Sequence, residues 1–221
     1  MDPAADEPVL DLLAQAGERF LSGDLPAGRR VLAPVSGLTI ADRPLALVDA
    51  LPAGAYEPAN GPLTKAPPLH VQALVFARDR YCCAYCGRHT VFLQVLNLLS
   101  RAFPEELPRH PNWKKAETHR LYWDLTTSID HVHPVSRGGS VYAAENLAAA
   151  CARCQYQKSN RSVESLGWAR RPTSDAWDGL TGLYRPLWEA LGRPAGVHRA
   201  WLAAIVAADG SAIAGALPPA P

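Results

Sequence analysis

The sequence predicts an α+β fold that is mainly helical and is organised around a small metal-stabilised centre. Two observations support this prediction. Apolar residues recur at helical spacing on both flanks, whereas two Cys-x-x-Cys pairs in the middle bracket segments of strand character. The pairs are Cys83–Cys86 and Cys151–Cys154. A chain of 221 residues has room for one domain with extensions or for two small domains.

The first segment, residues 1–68, contains no residues with recognisable chemistry. Residues 8–22 show helical periodicity and end before Gly23, a helix-stop signal. Residues 24–68 are rich in Pro, Gly and Ala, which predicts irregular structure wrapped around the core, with one short strand at 45–48. We therefore expect an N-terminal helix and a loop region that cover the core.

The second segment, residues 69–165, holds both cysteine pairs and a long insertion at 88–125. A helix over 69–80 leads into the first pair. Within the insertion, the apolar run 91–103 predicts a buried helix, and residues 113–124 predict a second, more polar helix. Strand character over 126–133 follows.

The second cysteine pair follows an Ala-rich stretch, and two predictions conflict there. Propensity alone favours a helix at 146–151. A cysteine knuckle sits in a turn, however, so we predict a short strand before Cys151 and a helix from Arg153 to about Glu164. The third segment, residues 166–221, is a helical appendage whose last ten residues we expect to be disordered.

The cysteines and the dipeptide between them suggest two different metals. Four thiolates in two knuckles suit a closed, tetrahedral Zn²⁺ site, which stabilises a fold and leaves no ligand position for substrate. The Asp130-His131 dipeptide offers a carboxylate and an imidazole beside each other. Such a pair can hold a catalytic cation and activate water. We therefore expect one structural metal and one catalytic metal.

The charge of the chain is concentrated in the segment that holds these motifs. The formal net charge is only +1, but residues 71–171 carry 14 basic and 8 acidic side chains. A basic stretch is either a solvated surface or a phosphate-binding one, and composition alone leaves both open. Five cysteines and an acidic N-terminal segment without a basic start argue against secretion. We expect a soluble, cytoplasmic protein without membrane contact, and the sequence leaves its oligomeric state open, a homodimer included.

Several separated motifs resemble those of the HNH endonuclease family, and more narrowly its four-cysteine bacterial branch. They occur in the family's order and span roughly residues 75–162. The insertion is longer than the family commonly shows, and both flanks lie outside the resemblance. The matching motifs are Arg78 to Gly87, Asp130 to Gly139, Glu145-Asn146-Leu147 and Cys151 to Lys158.

The resemblance implies a ββα-metal (His-Me finger) nuclease that hydrolyses DNA phosphodiester bonds with Mg²⁺ or Mn²⁺. By position, His131 resembles the general base that takes a proton from the attacking water. Asp130 resembles a ligand of the catalytic cation. Asn146 resembles the central Asn, which braces the loop and orients the base. These three residues form the expected catalytic group.

This chain departs from the family immediately after its last cysteine, where Gln155 replaces the usual His or Asn. The Gln carbonyl is an oxygen ligand that a hard cation accepts, although its extra methylene changes its reach. His133 is an alternative ligand, since on a strand it would share the face of His131. A structural role for His133 is equally open. At the first pair, Cys82 is an alternative to Cys83, but only Cys83 gives the Cys-x-x-Cys spacing.

Four basic residues near these motifs are candidates for phosphate contact: Arg78, Arg137, Lys158 and Arg161. The insertion is either an accessory helical hairpin or a second DNA-contacting surface. We assign Trp123 to the core or to an interface rather than to base stacking. Two functions remain: an active DNA endonuclease, or a zinc-ribbon DNA-binding or scaffold protein in which the change at Gln155 has cost catalysis.

Overall fold

The structure, a computed structural model, describes residues 7–42, 66–171 and 177–214. As predicted, it is mainly helical, with one small two-stranded sheet. The elements are α1 (Glu7–Leu21), α2 (Leu25–Leu32), α3 (Leu69–Arg78), α4 (Leu93–Ala102), α5 (Leu121–Leu125), β1 (Thr127–His131), β2 (Leu147–Cys151), α6 (Ala152–Lys158), α7 (Tyr184–Ala190) and α8 (His198–Ala214).

The N-terminal helix is confirmed, but the irregular region after it was predicted too broadly. Helix α2 begins directly after Asp24, whose side chain accepts a hydrogen bond from Ala27 N at 3.0 Å. Pro26 stands in the first turn, where its missing N–H costs nothing. Capping and proline placement therefore start a helix in a segment whose composition suggests a loop.

Two other predictions fall wholly or partly outside the described residues. The strand at 45–48 lies outside them, as does most of the predicted disordered tail. Helix α8 extends to Ala214, so the first residues of that tail are helical. None of the helices that the structure describes has the length and apolar character needed to cross a membrane.

The insertion contains one of its two predicted helices in full. Helix α4 matches the apolar run, but residues 113–120 form turns, and the helical part is only α5. The reason is long-range pairing of the backbone. Ile40 N donates to Thr118 O at 2.9 Å, and Arg120 N donates to Leu38 O at 3.0 Å. In a continuous helix over residues 113–124, these peptide groups would instead be hydrogen-bonded within the helix.

The central unit is an antiparallel pair of strands followed at once by α6. The register pairs Asp130 with Ala148 and His131 with Leu147. The strand predicted before Cys151 is confirmed as β2. On the edge of β2 that does not face β1, the backbone groups of Ala149 are hydrogen-bonded. Its N–H donates to Asp79 Oδ2 and its carbonyl accepts from Ala84 N, each at 2.8 Å. Tertiary hydrogen bonds therefore override the helical propensity of the alanines.

Helix α6 is shorter than predicted. It ends at Lys158 rather than near residue 164, because Ser159 adopts a φ of 51°, which a right-handed helix cannot accommodate.

One hydrophobic cluster joins helices from all three segments of the sequence. Helix α3 packs against α8, and α4 packs against α7. A second, smaller cluster surrounds the cysteines and contains Tyr85, Ala150 and Val163. The larger cluster includes Leu10, Leu13, Phe76, Phe92, Leu99, Leu125, Tyr184, Leu187 and Trp201. The insertion and both flanking segments thus contribute to the hydrophobic core that supports β1 and β2.

Candidate metal centre and active site

The four cysteines of the two knuckles meet in one cluster. The Sγ atoms of Cys83, Cys86, Cys151 and Cys154 all lie within 4.8 Å of one another. The Sγ atoms of Cys86 and Cys151 are 3.9 Å apart. A tetrahedral Zn²⁺ with Zn–S bonds of ~2.3 Å requires Sγ atoms ~3.8 Å apart. The cluster therefore has the ligand type, number and spacing of a structural zinc site.

Local backbone geometry shapes both knuckles. In the first, Gly87 N donates to Cys83 O at 2.8 Å, and Gly87 has a φ of 78°, which favours glycine. In the second, Cys151 is the N-cap of α6, and its Sγ accepts from Cys154 N at 3.4 Å. The start of α6 thus places two thiols on the side of the first knuckle.

Cys82 lies outside this cluster, as its spacing predicts. Its Sγ donates to Arg80 O at 3.3 Å, and the residue is buried. The adjacent Cys83 is the member of the cluster, as the Cys-x-x-Cys spacing predicts.

Thiols this close cannot all ionise unless a cation compensates their charge. Hydrogen bonding from Cys151 lowers the pKa of Cys86 far below the usual thiol value. Hydrogen bonding with Cys154 raises the pKa of Cys151 well above it. A divalent cation removes this conflict, because it favours the thiolate form of all four ligands.

Asp130 is buried beside the zinc cluster and has two partners on the same oxygen. Tyr85 OH donates to Asp130 Oδ2, and Lys158 Nζ forms an ion pair with Oδ2 at 3.1 Å. Burial raises the pKa of Asp130, and the charge of Lys158 opposes this shift. Because both contacts engage Oδ2, the carboxylate is held in one orientation, and Oδ1 has no hydrogen-bond partner among the described residues.

His131 ends β1 with its imidazole oriented by the following loop. Its Nε2 lies 3.0 Å from Val141 O. A carbonyl can only accept, so Nε2 carries the proton and Nδ1 presents its lone pair. This tautomer suits a proton acceptor at Nδ1.

Asn146 braces that loop from the start of β2. Its Nδ2 donates to His133 O at 3.0 Å and to Ser140 O at 2.6 Å, and its Oδ1 accepts from His133 N at 2.8 Å. Gly139 completes the arrangement, because a side chain there would collide with His133 O. These hydrogen bonds thus hold the loop between β1 and β2 at its start, at His133, and further along, at Ser140.

Gln155 points from α6 towards β1. Its Nε2 donates to Ile129 O at 2.5 Å, which anchors the amide at the strand that carries Asp130 and His131. The anchoring group is the amide nitrogen, and the amide carbonyl is the atom suited to a hard cation.

His133 does not share a strand face with His131, contrary to the sequence prediction. Strand β1 ends at His131, so the alternation of side chains stops before His133. His133 is exposed, and its Nε2 donates to Arg137 O at 3.0 Å. This contact gives His133 a role in the loop rather than on the strand.

Two of the four predicted phosphate contacts are engaged inside the protein. Lys158 is 1% exposed, and its Nζ also donates to His131 O at 2.7 Å. Arg78 pairs with Asp79 and donates to Ala144 O and Leu147 O, each at 2.7 Å. We therefore assign both to bracing the strands. Arg137 is exposed, and Arg161 is half-buried and donates to Gln157 O; both remain candidates for phosphate contact.

The residue that sequence reasoning missed is Tyr85, which joins the zinc knuckle to Asp130. In the sequence, the one feature that pointed to Tyr85 was its position between Cys83 and Cys86. Apart from the four cysteines, no group of three or more His, Cys, Asp or Glu side chains in the described ranges lies close enough to share an ion. A catalytic cation here would rely on Asp130, Gln155, water and substrate phosphate, which is the usual pattern for Mg²⁺.

Comparison with known proteins supports the resemblance seen in the motifs. Neither the curated proteins nor the solved structures gave a match. The sequence profile of the HNH endonuclease family matches residues 118–161, a segment that contains Asp130, His131, Asn146 and the second cysteine pair. Residues 118–161 thus match the HNH endonuclease family, and the four-cysteine cluster is consistent with the zinc-binding branch of that family.

Proposed function

We propose that this protein is a metal-dependent endonuclease that hydrolyses DNA phosphodiester bonds. The observation that supports it most is the orientation of His131, whose Nε2 proton is committed to Val141 O. The family match at residues 118–161 indicates nuclease activity and metal binding in general terms. The roles of the individual residues are part of this proposal.

His131 acts as the general base. With Nε2 protonated, Nδ1 accepts a proton from a water molecule as the water attacks phosphorus. An imidazole is suited to this step, because its ordinary pKa lies close to neutral pH. Asn146 keeps the loop in place, and the hydrogen bond to Val141 O prevents the ring from rotating.

Asp130 and Gln155 hold the catalytic cation, Mg²⁺ or Mn²⁺. When bound, the cation neutralises charge on the phosphate and stabilises the leaving 3′ oxygen. The ion pair with Lys158 and the hydrogen bond from Tyr85 keep the Asp130 carboxylate fixed for this role. Gln155 is anchored through its amide nitrogen, which directs its carbonyl oxygen away from Ile129 O.

The order β1, β2, α6 supports the finer assignment of a ββα-metal core. In this assignment the strand pair carries Asp130 and His131, and α6 carries Gln155. The four cysteines would hold Zn²⁺, which would join the first knuckle to the start of α6. We retain residues 69–165 as the nuclease unit, with 88–125 as its insertion.

DNA is the proposed partner. We assign phosphate contact beside the site to Arg137 in the loop and to Arg161 after α6, which also donates to Gln157 O. They lie in the segment 71–171, where basic residues outnumber acidic ones by 14 to 8. Binding should therefore weaken as the salt concentration rises.

The test is cleavage of supercoiled plasmid by the zinc-loaded protein. We expect relaxed or linear DNA on addition of Mg²⁺ or Mn²⁺ and none when EDTA is present during a short incubation. Asp130→Asn should lose most of the activity. DNA binding without cleavage at any cation concentration would favour the alternative, a zinc-ribbon DNA-binding or scaffold protein.

A further inference from the structure

A groove of about 790 Å³ lies between the insertion and α6. One wall comes from the insertion and includes Trp113 and Trp123. The other comes from the nuclease core and includes Tyr156 and Gln155 of α6. Its size falls within the range of roughly 300–1,000 Å³ found for small-ligand sites.

The groove adjoins the candidate active site. Gln155 lines it and is hydrogen-bonded to Ile129 O, one residue before Asp130. Ser128 of β1 also lines it, and residues two apart on a strand are separated by about 7 Å. Because a DNA strand advances about 3.4 Å per nucleotide, a base in this groove lies within roughly two nucleotides of a phosphate at Asp130.

The lining offers aromatic rings together with a positive charge. Trp123 and Tyr156 meet edge to face, with ring centroids 4.9 Å apart. Tyr156 is 49% exposed, so part of its ring faces solvent at the groove. Arg161 also lines the groove, and no carboxylate is among the described residues that do so.

This combination suits a nucleotide, because the groove surface is mainly apolar, like the face of a base, and Arg161 adds a positive charge for the phosphate. Aromatic side chains stack on the faces of bases without regard to sequence, and a guanidinium pairs with the adjoining phosphate. The Ser159 hydroxyl can bond to the polar edge of a base, and the Ser128 hydroxyl, which donates to Ala150 O at 2.8 Å, can still accept a hydrogen bond from it. A fully paired duplex keeps its bases stacked inside, so only an unpaired base can enter.

We propose that this groove binds an unpaired nucleobase of the DNA strand next to the scissile phosphate. The inference rests on the proposed nuclease function and extends it, since it makes DNA with an unpaired base the preferred substrate. It also gives the insertion a role, and it places Trp123, which the sequence assigned to the core or to an interface, in the wall of a binding site.

The test uses the full chain with His131→Ala, so that binding is measured without cleavage. Its probes are a short duplex with one bulged 2-aminopurine and the same duplex fully paired. We expect the bulged duplex to bind about tenfold tighter and its fluorescence to be quenched by stacking. Tyr156→Ala should remove both effects, whereas Tyr156→Phe, which keeps the ring, should retain them.

Three outcomes would overturn the proposal. They are equal affinity for the two duplexes, an unchanged preference in Tyr156→Ala, and a concentration-dependent dimer that Tyr156→Ala abolishes while DNA binding stays the same. The last outcome would mean that the groove binds a second copy of the chain instead of a nucleobase. Plasmid cleavage by the protein with His131 intact reports separately on the nuclease function, so failure of one proposal is distinguishable from failure of the other.

Discussion

The hydroxyl of Tyr85 donates a hydrogen bond to Asp130 Oδ2, which links the zinc knuckle to the candidate catalytic carboxylate. Tyr85 lies between Cys83 and Cys86, two members of the cysteine cluster. Burial raises the pKa of Tyr85, so the hydroxyl stays protonated and remains a donor. The candidate zinc site and the candidate catalytic site are therefore joined by a single side chain.

Removing this hydroxyl should weaken the catalytic cation site without loss of zinc. In Tyr85→Phe we expect the Mn²⁺ concentration for half-maximal cleavage to rise about tenfold, because groups that orient a metal ligand typically affect affinity by 10–100-fold. Tyr122→Phe is the matched control, since Tyr122 is also buried but donates to Leu96 O at 3.0 Å. Identical Mn²⁺ titrations for Tyr85→Phe and Tyr122→Phe would contradict the link.

Gln155 should contribute to cation binding through its amide oxygen. We expect Gln155→Ala to raise the Mn²⁺ requirement for cleavage by roughly tenfold, by removing one ligand. Gln72→Ala serves as the control, because Gln72 also donates an amide hydrogen bond to a backbone carbonyl, Pro67 O at 2.7 Å. If cleavage by Gln155→Ala shows the same cation dependence as wild type, Gln155 does not belong to the site.

The two neighbouring cysteines Cys82 and Cys83 allow a direct test of the zinc assignment. Cys151→Ser or Cys83→Ser should lose zinc and lower the melting temperature by at least about 10 °C, because structural zinc binding is coupled to folding. Cys82→Ser, outside the cluster, should retain one zinc per chain. Metal analysis and thermal melts decide the matter, and full zinc in Cys151→Ser would refute the four-cysteine site.

The ion pair between Lys158 and Asp130 should contribute to stability as a unit. Lys158→Met leaves a buried carboxylate without its cation, which costs about 3–5 kcal/mol in the free energy of unfolding. The double variant Lys158→Met with Asp130→Asn should lose clearly less than the sum of the two single losses. Additive losses in urea unfolding would show that the two side chains are not coupled.

Parts of this site were predictable because their information is local. The spacing of Cys83 and Cys86 selected the two cysteines of the first knuckle that join the cluster, and the need for a turn at Cys151 outweighed the helical propensity of the alanines before it. The burial of Lys158 and the bracing role of Arg78 were not predictable. Their partners come from remote parts of the chain, and a basic side chain near a motif resembles a phosphate contact until its partners are known.

The same limit explains the turns at residues 113–120. Their composition fits a helix, but their peptide groups bond to residues 38–40, far away in sequence. No local pattern encodes that pairing. The groove beside Gln155 likewise arises only when the insertion packs against α6.

The central claim, that His131 is the base of a DNA nuclease, is tested most directly by the cleavage rate of one variant. His131→Ala and His70→Ala are compared with wild type on supercoiled plasmid in Mn²⁺, and His70 is an exposed histidine of α3, outside the site. We predict that His131→Ala lowers the rate by about 10²–10⁴-fold at unchanged zinc content, whereas His70→Ala cleaves like wild type. Equal cleavage by all three proteins would contradict the account.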